Sequence, residues 1–148
     1  MKFSVEKEAL ISPLALVASV VERRQTLPVL ANILCVVEDG QLTLTGTDQE
    51  VELSVSISEL TDAVSGEVTV PAQKFFDICR SLPGQALVEV SLEGNRASLH
   101  SGRFKSHLAT LPAIEFPKVE LDSAAMQLEV PVTALRELLE STGFAMAL

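Results

Sequence analysis

Hydrophobic and polar positions follow the same pattern three times along this chain. A short alternating strand, a break and an amphipathic helix recur in that order at residues 3–11, 68–76 and 128–136. The valines of these strands, Val5, Val70 and Val130, are 65 and 60 residues apart. A period of this size is typical of one supersecondary unit used repeatedly, with each copy burying its apolar face against the next. We therefore predict a complete two-copy domain followed by the start of another.

The first helix is predicted from an apolar stripe. Its members recur with helical spacing, at Leu10, Ile11, Leu14, Val17, Ala18 and Val21. The repeat places the start of the helix near Lys7, whereas Ser12 and Pro13 are typical of an N-cap followed by a first-turn proline. We favour the start given by the repeat, with a local distortion at Pro13. The helix is expected to end between Glu22 and Gln25.

Three strands are expected after this helix, at residues 29–38, 41–45 and 50–58. Asp39 and Gly40 form a pair typical of a two-residue hairpin turn, and residues 46–48 predict a second turn. Apolar and polar residues alternate strictly in the third strand, which predicts one buried face and one face in water. Residues 62–66 are polar and are predicted to connect the two copies.

The second copy repeats the order of the first. Its strand, its helix and its three further strands are predicted at residues 67–70, 72–82, 86–92, 96–101 and 103–111. Each copy is thus a β-α-β-β-β unit, and the two units span residues 1–62 and 67–111. Two such units predict an α+β fold in which two helices pack on antiparallel sheet.

The chain loses this periodicity at residue 112. The segment that follows contains Pro112, Pro117 and three acidic residues, which predicts an interdomain linker. We therefore expect a first domain at residues 1–122 and an incomplete start of a second domain at residues 123–148.

Composition indicates a globular protein, with 47% apolar and 21% charged residues. No apolar run approaches the roughly 18 residues of a membrane span, so we expect no membrane association. The first residues enter a strand pattern without the apolar segment of a signal peptide. Cys35 and Cys79 fall on apolar faces, and buried free thiols fit a reducing compartment. These features predict a cytoplasmic location.

The net charge of −9 argues against a nucleic-acid-binding protein when it is taken alone. The positive charges are clustered, however, at Arg23 and Arg24, at Lys74 and Arg80 on the second helix, and at Arg96, Arg103 and Lys105 in one hairpin region. Cations such as Arg23 and Arg24 at a helix C-terminus are stabilised by the helix dipole, or they contact phosphates without reading sequence. Both interpretations remain open from the residues alone.

Catalytic and metal chemistry are not supported by the residues. His100 and His107 are the only histidines, and with two core cysteines they do not supply the three or four convergent ligands of a zinc site. No nucleophile elbow or glycine-rich phosphate loop is present. Asp48 is predicted in a turn, and Glu50 and Glu52 on the solvent face of a strand. We expect no enzyme activity, no cofactor and no metal.

Four segments together resemble a known family. Residues 26–34, 42–50, 70–83 and 108–117, which begin TLPVLANIL, LTLTGTDQE, VPAQKFFDI and LATLPAIEF, resemble signatures of the bacterial sliding clamp, the beta subunit of DNA polymerase III. The resemblance implies the DNA-clamp fold and a ring dimer that encircles duplex DNA and tethers the replicative polymerase. It implies helices around the hole and sheets at the rim.

The resemblance also implies functional residues. DNA contact is expected from Arg24 with Arg23, Lys74 and Arg80, and a dimer interface from Lys74, Arg96, Arg103, Lys105 and Leu108. Gln73 stands where the family commonly has a basic residue, and Ser106 where it commonly has an aromatic one, with Phe104 two positions earlier. Polymerase and clamp loader are expected to bind through domains outside this chain. The chain is not expected to close a ring by itself, so we expect it to be a monomer or to make a non-native contact.

Two other classes of function compete with this interpretation. A β-rich interaction module would use a free sheet edge at residues 103–111 to pair with a strand of a protein partner and would ignore DNA. An enzyme would need a metal or a cavity beside Glu50 and Glu52.

Overall fold

A computed structural model describes residues 1–21, 27–117 and 129–146 of the chain. The three α-helices are α1 (Lys7–Val20), α2 (Ala72–Ser81) and α3 (Val132–Gly143). The nine strands are β1 (Lys2–Glu6), β2 (Asn32–Glu38), β3 (Gln41–Thr47), β4 (Glu52–Ile57), β5 (Thr61–Val64), β6 (Gly66–Pro71), β7 (Leu87–Glu93), β8 (Arg96–Ser101) and β9 (Phe104–Ala109). Short 3₁₀ helices lie at Pro28–Ala31 and Ala113–Glu115.

The strands form two antiparallel sheets that exchange their first strands. Sheet A has the order β5-β1-β7-β8-β9, and sheet B has the order β4-β3-β2-β6. The first strand of each copy therefore pairs with the strands of the other copy. Each exchanged strand also has a partner on its other side. Strand β5 pairs with β1, and Leu111 forms an isolated antiparallel bridge with Thr69 on β6. Each sheet therefore contains strands from both copies, and neither copy forms a complete sheet alone. The predicted α+β fold is confirmed.

Helices α1 and α2 pack against each other and share one hydrophobic core with the inner faces of both sheets. Helix α1 buries Leu10, Leu14 and Val17, and helix α2 buries Phe75. Burying one such side chain stabilises a fold by about 1.5–3 kcal/mol relative to its exposure. The core therefore fixes the helix pair as a rigid unit on the sheets.

Helix α1 begins at Lys7 and runs through Pro13, as the repeat predicted. It ends at Val20, which is earlier than the predicted end between Glu22 and Gln25. Val21 already has extended backbone angles, and its N–H bonds to the carbonyl of Ala18. The Val21 side chain is nevertheless buried, at 5% exposure. The apolar stripe therefore extends one residue beyond the helix, which is why the sequence pattern predicted a later helix end.

The strand predictions for the first copy need three corrections. Residues 28–31 form a 3₁₀ helix rather than the start of a strand, because Pro28 favours the first turn of a helix. Val29 and Leu30 are buried in an apolar cluster with Leu34. Residues 46 and 47 belong to β3, and Asp48 makes the turn instead. The polar connector at 62–66 contains a strand, β5, which pairs with β1.

The predicted two-residue hairpin turn is confirmed. Glu38 faces Gln41 across the turn, and Asp39 and Gly40 have φ of 50° and 75°. Positive φ at both central positions is the signature of a type I′ turn, which matches the twist of the flanking strands. In the second copy Arg103 lies in the turn before β9 rather than in the strand itself.

The predicted linker starts as a packed segment. Ala113 and Phe116 are buried against Val29, Leu30 and Leu34 in a second apolar cluster on sheet B. The segment at 112–117 therefore belongs to the folded domain, and the rest of the predicted linker lies outside the described residues. The third copy has its helix, α3, but residues 129–130 form no strand. None of the described residues of α3 is buried.

Candidate nucleic-acid interface

The two packed helices cap each other's ends. Lys7, at the first position of α1, donates its ammonium Nζ to the main-chain carbonyl of Arg80 at 3.1 Å and also to that of Leu82. These carbonyls lie at the C-terminus of α2, where the unpaired acceptors and the helix dipole favour a cation. The contact ties the N-terminus of one helix to the C-terminus of the other.

Gln73 makes the matching contact at the opposite end of the pair. Its side-chain Nε2 donates to the main-chain carbonyl of Ala18 at 3.1 Å. Ala18 lies in the last turn of α1, and its carbonyl also accepts the N–H of Val21 at 3.3 Å, so the Gln73 amide is a second donor to this carbonyl. The position at which the sequence departs from the family's usual basic residue therefore has a local role in this structure.

Helix α2 presents Lys74 and Arg80 to solvent. They are six residues apart, which is about 9 Å along a helix axis. The guanidinium of Arg80 forms a 3.0 Å ion pair with Asp77 and lies 5.4 Å from the centre of the Phe76 ring. An exposed pair of this kind contributes at most about 1 kcal/mol. The Arg80 side chain therefore stays exposed and is only weakly restrained by Asp77 and Phe76.

Arg23 and Arg24 lie outside the described residues. The predicted DNA contact at these two arginines stays a prediction.

Basic residues follow the outer edge of sheet A. Strand β9 is the last strand of this sheet, with Arg103 in the turn before it. Lys105 is exposed on β9, and Arg96 is exposed on β8 opposite Ala109. Lys105 and Ala109 are four residues apart on β9. Because Arg96 lies opposite Ala109, the backbone positions of Lys105 and Arg96 are about 13 Å apart along the strand direction. The edge thus combines unpaired main-chain groups with three positive charges.

The apolar part of this edge is small. Leu108 is only 5% exposed and packs in the main core, so its side chain offers little surface for a partner. Ser106 lies on the same face of β9, and Phe104 is 38% exposed. The predicted interface role of Leu108 stays a prediction, and Phe104 is the larger accessible apolar group.

The chemically reactive side chains are not poised for reaction. Burial raises the pKa of Cys35 and of Cys79 to about 12, so both thiols are neutral near pH 7. The Ser98 hydroxyl is hydrogen-bonded to Nδ1 of His107 at 3.1 Å. In the described part of the chain, no three His, Cys, Asp or Glu side chains are grouped to hold a metal.

The carboxylate cluster of the first copy forms a turn rather than a site. Asp48 Oδ1 accepts the backbone N–H groups of Val51 at 2.7 Å and Glu50 at 2.9 Å, and these bonds lower the pKa of Asp48. Glu50 lies in this turn and Glu52 on β4, so the prediction that both share one strand face is wrong for Glu50.

None of the described helices is long and apolar enough to cross a membrane.

Sequence reasoning did not find the capping roles of Lys7 and Gln73. The sequence pattern identified Lys7 only as the start of a helix. A local pattern does not indicate which other helix ends near that residue in the fold. Gln73 was recognisable as a departure from the family pattern, and this was the one signal that pointed to it.

Comparison with known proteins gives one family over most of the chain. A family model described as DNA polymerase III beta subunit, N-terminal domain, matches residues 1–120. The beta sliding clamps of Pseudomonas aeruginosa and Pseudomonas putida are 49% identical over 147 residues, which cover 99% of this chain and 40% of each relative. The beta sliding clamp of Escherichia coli is 44% identical over the same share. The chain thus spans about two-fifths of the length of these relatives.

Solved structures agree with the sequence comparison. A DnaN sliding clamp from Pseudomonas aeruginosa, bound to griselimycin, superposes with a TM-score of 0.97 and 49% identity, over 100% of this chain and 40% of that one. The pol III beta protein of Caulobacter crescentus gives a TM-score of 0.93 at 35% identity, over 99% of this chain and 40% of that one.

Proposed function

The chain belongs to the DNA polymerase III beta subunit family, and we propose that it acts as part of a sliding clamp, the processivity factor of DNA polymerase III. Such a clamp encircles duplex DNA as a ring dimer and tethers the replicative polymerase. In this proposal residues 1–122 form the first clamp domain and residues 123–148 begin the second. The observation that carries the proposal is the superposition of the whole chain on a clamp of 49% identity.

The helix pair supports the DNA-facing role. Lys74 and Arg80 are exposed on a helix that is tied to α1 at both ends by side-chain hydrogen bonds. Contacts between such cations and phosphates are independent of sequence and weaken with salt. A few separated charges suit a ring that must move along DNA. We include Arg23 and Arg24 in this surface on the family resemblance alone.

The β9 edge supports the dimer role. Its main-chain groups are free for strand pairing within the described residues, and Arg96, Arg103 and Lys105 give it positive charge. An acidic strand edge on a second protomer would complement it in charge and hydrogen bonding. We assign Lys74 and Leu108 to the same interface as the family pattern implies.

We propose that the role is non-catalytic and is exerted in the cytoplasm, with polymerase and clamp loader as further partners. Their binding is assigned to domains beyond this chain. The neutral thiols of Cys35 and Cys79 and the turn-forming Asp48 fit a role without chemistry.

The test is topological loading. A chimera would carry this chain in place of the matching two-fifths of the Pseudomonas aeruginosa clamp, with that clamp itself as the control. Both proteins would be loaded onto nicked circular DNA with a clamp loader and ATP, and the circle would then be linearised. Retention on the circle with release after linearisation is expected. Retention after linearisation would mean ordinary DNA affinity and would contradict the proposal.

The interaction-module alternative predicts a different result. It rests on the free edge of β9, and it predicts that the chimera fails to load while the chain still captures a strand-forming peptide. Loading by the chimera would reject it.

A further inference from the structure

The solvent-facing surface of the helix pair is almost neutral within the described residues. It consists of the exposed stripes of α1 and α2, which are Glu8, Ser12, Leu16 and Ser19 on α1 and Lys74, Asp77, Arg80 and Ser81 on α2. Each stripe has the three- and four-residue spacing of one helix face. Two acidic and two basic residues balance each other, and α1 contributes no exposed cation. A surface of this charge attracts a polyanion only weakly.

Two of the three exposed hydroxyls on this surface are bonded to their own helix. Ser19 Oγ donates to the carbonyl of Leu16, and Ser81 Oγ donates to the carbonyl of Ile78, each at 2.7 Å. A hydroxyl has a single proton to donate, so neither serine can also donate to a phosphate oxygen while it makes this bond. Leu16 adds an apolar side chain to the α1 stripe, with 51% of it exposed. The charged donors that remain are those of α2.

The two basic residues of α2 are not equivalent. The Nη2 group of Arg80 donates to Oδ1 of Asp77 at 3.0 Å, and its Cζ lies 5.4 Å from the centre of the Phe76 ring. Phe76 is half-buried and packs against the main core, so one side of the guanidinium rests on a fixed ring. Lys74 has no ion pair within the described part of the chain. A phosphate would meet a full positive charge at Lys74 but a partly neutralised one at Arg80.

Given the function proposed above, we propose that Asp77 limits the contact between Arg80 and the DNA backbone and leaves Lys74 as the main phosphate contact of α2. A cation that neutralises a phosphate releases counterions, and a ring that moves along DNA must exchange each such contact for the next. A carboxylate that competes with phosphate for the guanidinium weakens one of these contacts. Asp77 is thus a positioning residue that acts on DNA through Arg80.

Helix stabilisation is the first competing explanation for the ion pair. A carboxylate three residues before an arginine stabilises a helix slightly in any protein. That role alone predicts a lower unfolding temperature for Asp77→Asn and unchanged DNA affinity. Direct repulsion of phosphate by Asp77 is the second explanation. It predicts tighter binding of Asp77→Asn whether or not Arg80 is present, whereas competition for Arg80 predicts a gain that requires Arg80.

The experiment is a double-mutant cycle in the chimeric clamp, with a fluorescent linear duplex as the probe. The four proteins are the chimera, Asp77→Asn, Arg80→Gln and the double variant. Anisotropy at several salt concentrations gives the affinity and the slope of log K against log salt. Asp77→Asn should tighten binding about threefold when Arg80 is present, which is the scale of an exposed ion pair, and clearly less when Arg80 is replaced. Arg80→Gln should lower the slope by about 0.9 in the Asp77→Asn background and by less than half of that in the original background.

Glu8→Gln is the matched control, because it removes one exposed carboxylate from the same surface without releasing an ion-paired arginine. Its gain in affinity measures general repulsion and should be smaller than that of Asp77→Asn. Tracking of the loaded ring on stretched DNA should show slower diffusion for Asp77→Asn and recovery in the double variant. Equal effects of Asp77→Asn with and without Arg80, or an equal gain from Glu8→Gln, would overturn the inference.

Topological loading of the chimera, measured in the same series, separates the two proposals. A chimera that fails to load rejects the proposed function and the role of Asp77 together. A chimera that loads but shows no coupling between Asp77 and Arg80 rejects the role of Asp77 alone.

Discussion

The ammonium of Lys7 donates a hydrogen bond to the carbonyl of Arg80 across 73 positions of sequence, at a distance of 3.1 Å. This contact joins the first residue of α1 to the last turn of α2. Gln73 makes the reciprocal contact with Ala18. The two helices that carry the proposed DNA surface are therefore locked in antiparallel register by side chains that bind each other's main chain.

Lys7→Met is expected to destabilise the fold by about 1 kcal/mol, because the carbonyls at the end of α2 lose a charged donor. The methionine keeps the apolar stem, so packing changes little. Urea unfolding followed by circular dichroism measures the difference. Lys105→Met, at an exposed lysine of β9, is the control and should leave stability unchanged. Equal stability of the two variants would show that the cap contributes nothing.

Gly46→Ala is expected to cost about 1–3 kcal/mol through overpacking. A Cβ at Gly46 would lie 2.7 Å from the carbonyl oxygen of Val17 and 2.9 Å from its Cγ1. Gly143→Ala is the matched control, since a Cβ there meets no atom within 4 Å. Val17→Ala by itself removes a buried side chain and destabilises the fold. In the Val17→Ala background the loss caused by Gly46→Ala should be smaller but still present, because the clash with the main-chain oxygen remains. Thermal unfolding of the original chain, the two single variants, the double variant and Gly143→Ala is the measurement, and a harmless Gly46→Ala would contradict the close approach of α1 and β3.

Asp48→Asn is expected to show a pH-dependent effect on stability. Backbone hydrogen bonds from Val51 and Glu50 lower the pKa of Asp48 in the fold below its ordinary value of 3.8. A depressed pKa means that the ionised carboxylate stabilises the fold above 3.8 and that this stabilisation disappears as the pH falls through the folded value. The difference between the original chain and the variant should therefore be present at neutral pH and shrink in acid. Denaturant unfolding across this range measures it, with Asp62→Asn as the control for loss of one exposed charge.

Lys74→Ala in the chimeric clamp is expected to weaken duplex binding and to lower the salt dependence, log K against log salt, by about 0.9. Asp77→Asn should do the opposite to affinity, because it releases the Arg80 guanidinium from its 3.0 Å ion pair. Lys2→Ala, on the outer face of sheet A, is the control. Fluorescence anisotropy at several salt concentrations gives both quantities. If Lys74→Ala leaves the slope of log K against log salt unchanged, the proposal that α2 contacts DNA is contradicted.

Charge reversal at Arg103 and Lys105 in the chimera is expected to dissociate the ring dimer, because the β9 edge would repel the acidic edge that we propose for its partner. Sedimentation velocity at low and moderate salt measures the change. Lys2→Glu serves as the control for an exposed lysine on the same sheet. The 148-residue chain by itself should sediment as a monomer, and a stable ring formed by it alone would contradict the assignment of the second half of the interface to other domains.

Several features of the site were predictable from sequence because they are local. The exposure of Lys74 and Arg80 follows from the 3.6-residue period of α2, and the β8–β9 hairpin that carries Lys105 follows from its turn residues. The burial of Leu108 was not predictable from the family pattern, which places it at an interface. Its position on β9 puts it opposite Ala97, on the core face of sheet A.

The sequence by itself determined the elements and their order: a strand, a helix and a set of hairpins, used twice. Periodicity and turn chemistry act over a few residues, so they are legible without a structure. Only the tertiary structure decided that β1 joins β7 and that β6 joins β2, because the main-chain edges of all strands are chemically alike. The choice among them is made by packing of the shared core. The same packing brings Lys7 to the end of α2 and leaves Ser4 without a partner.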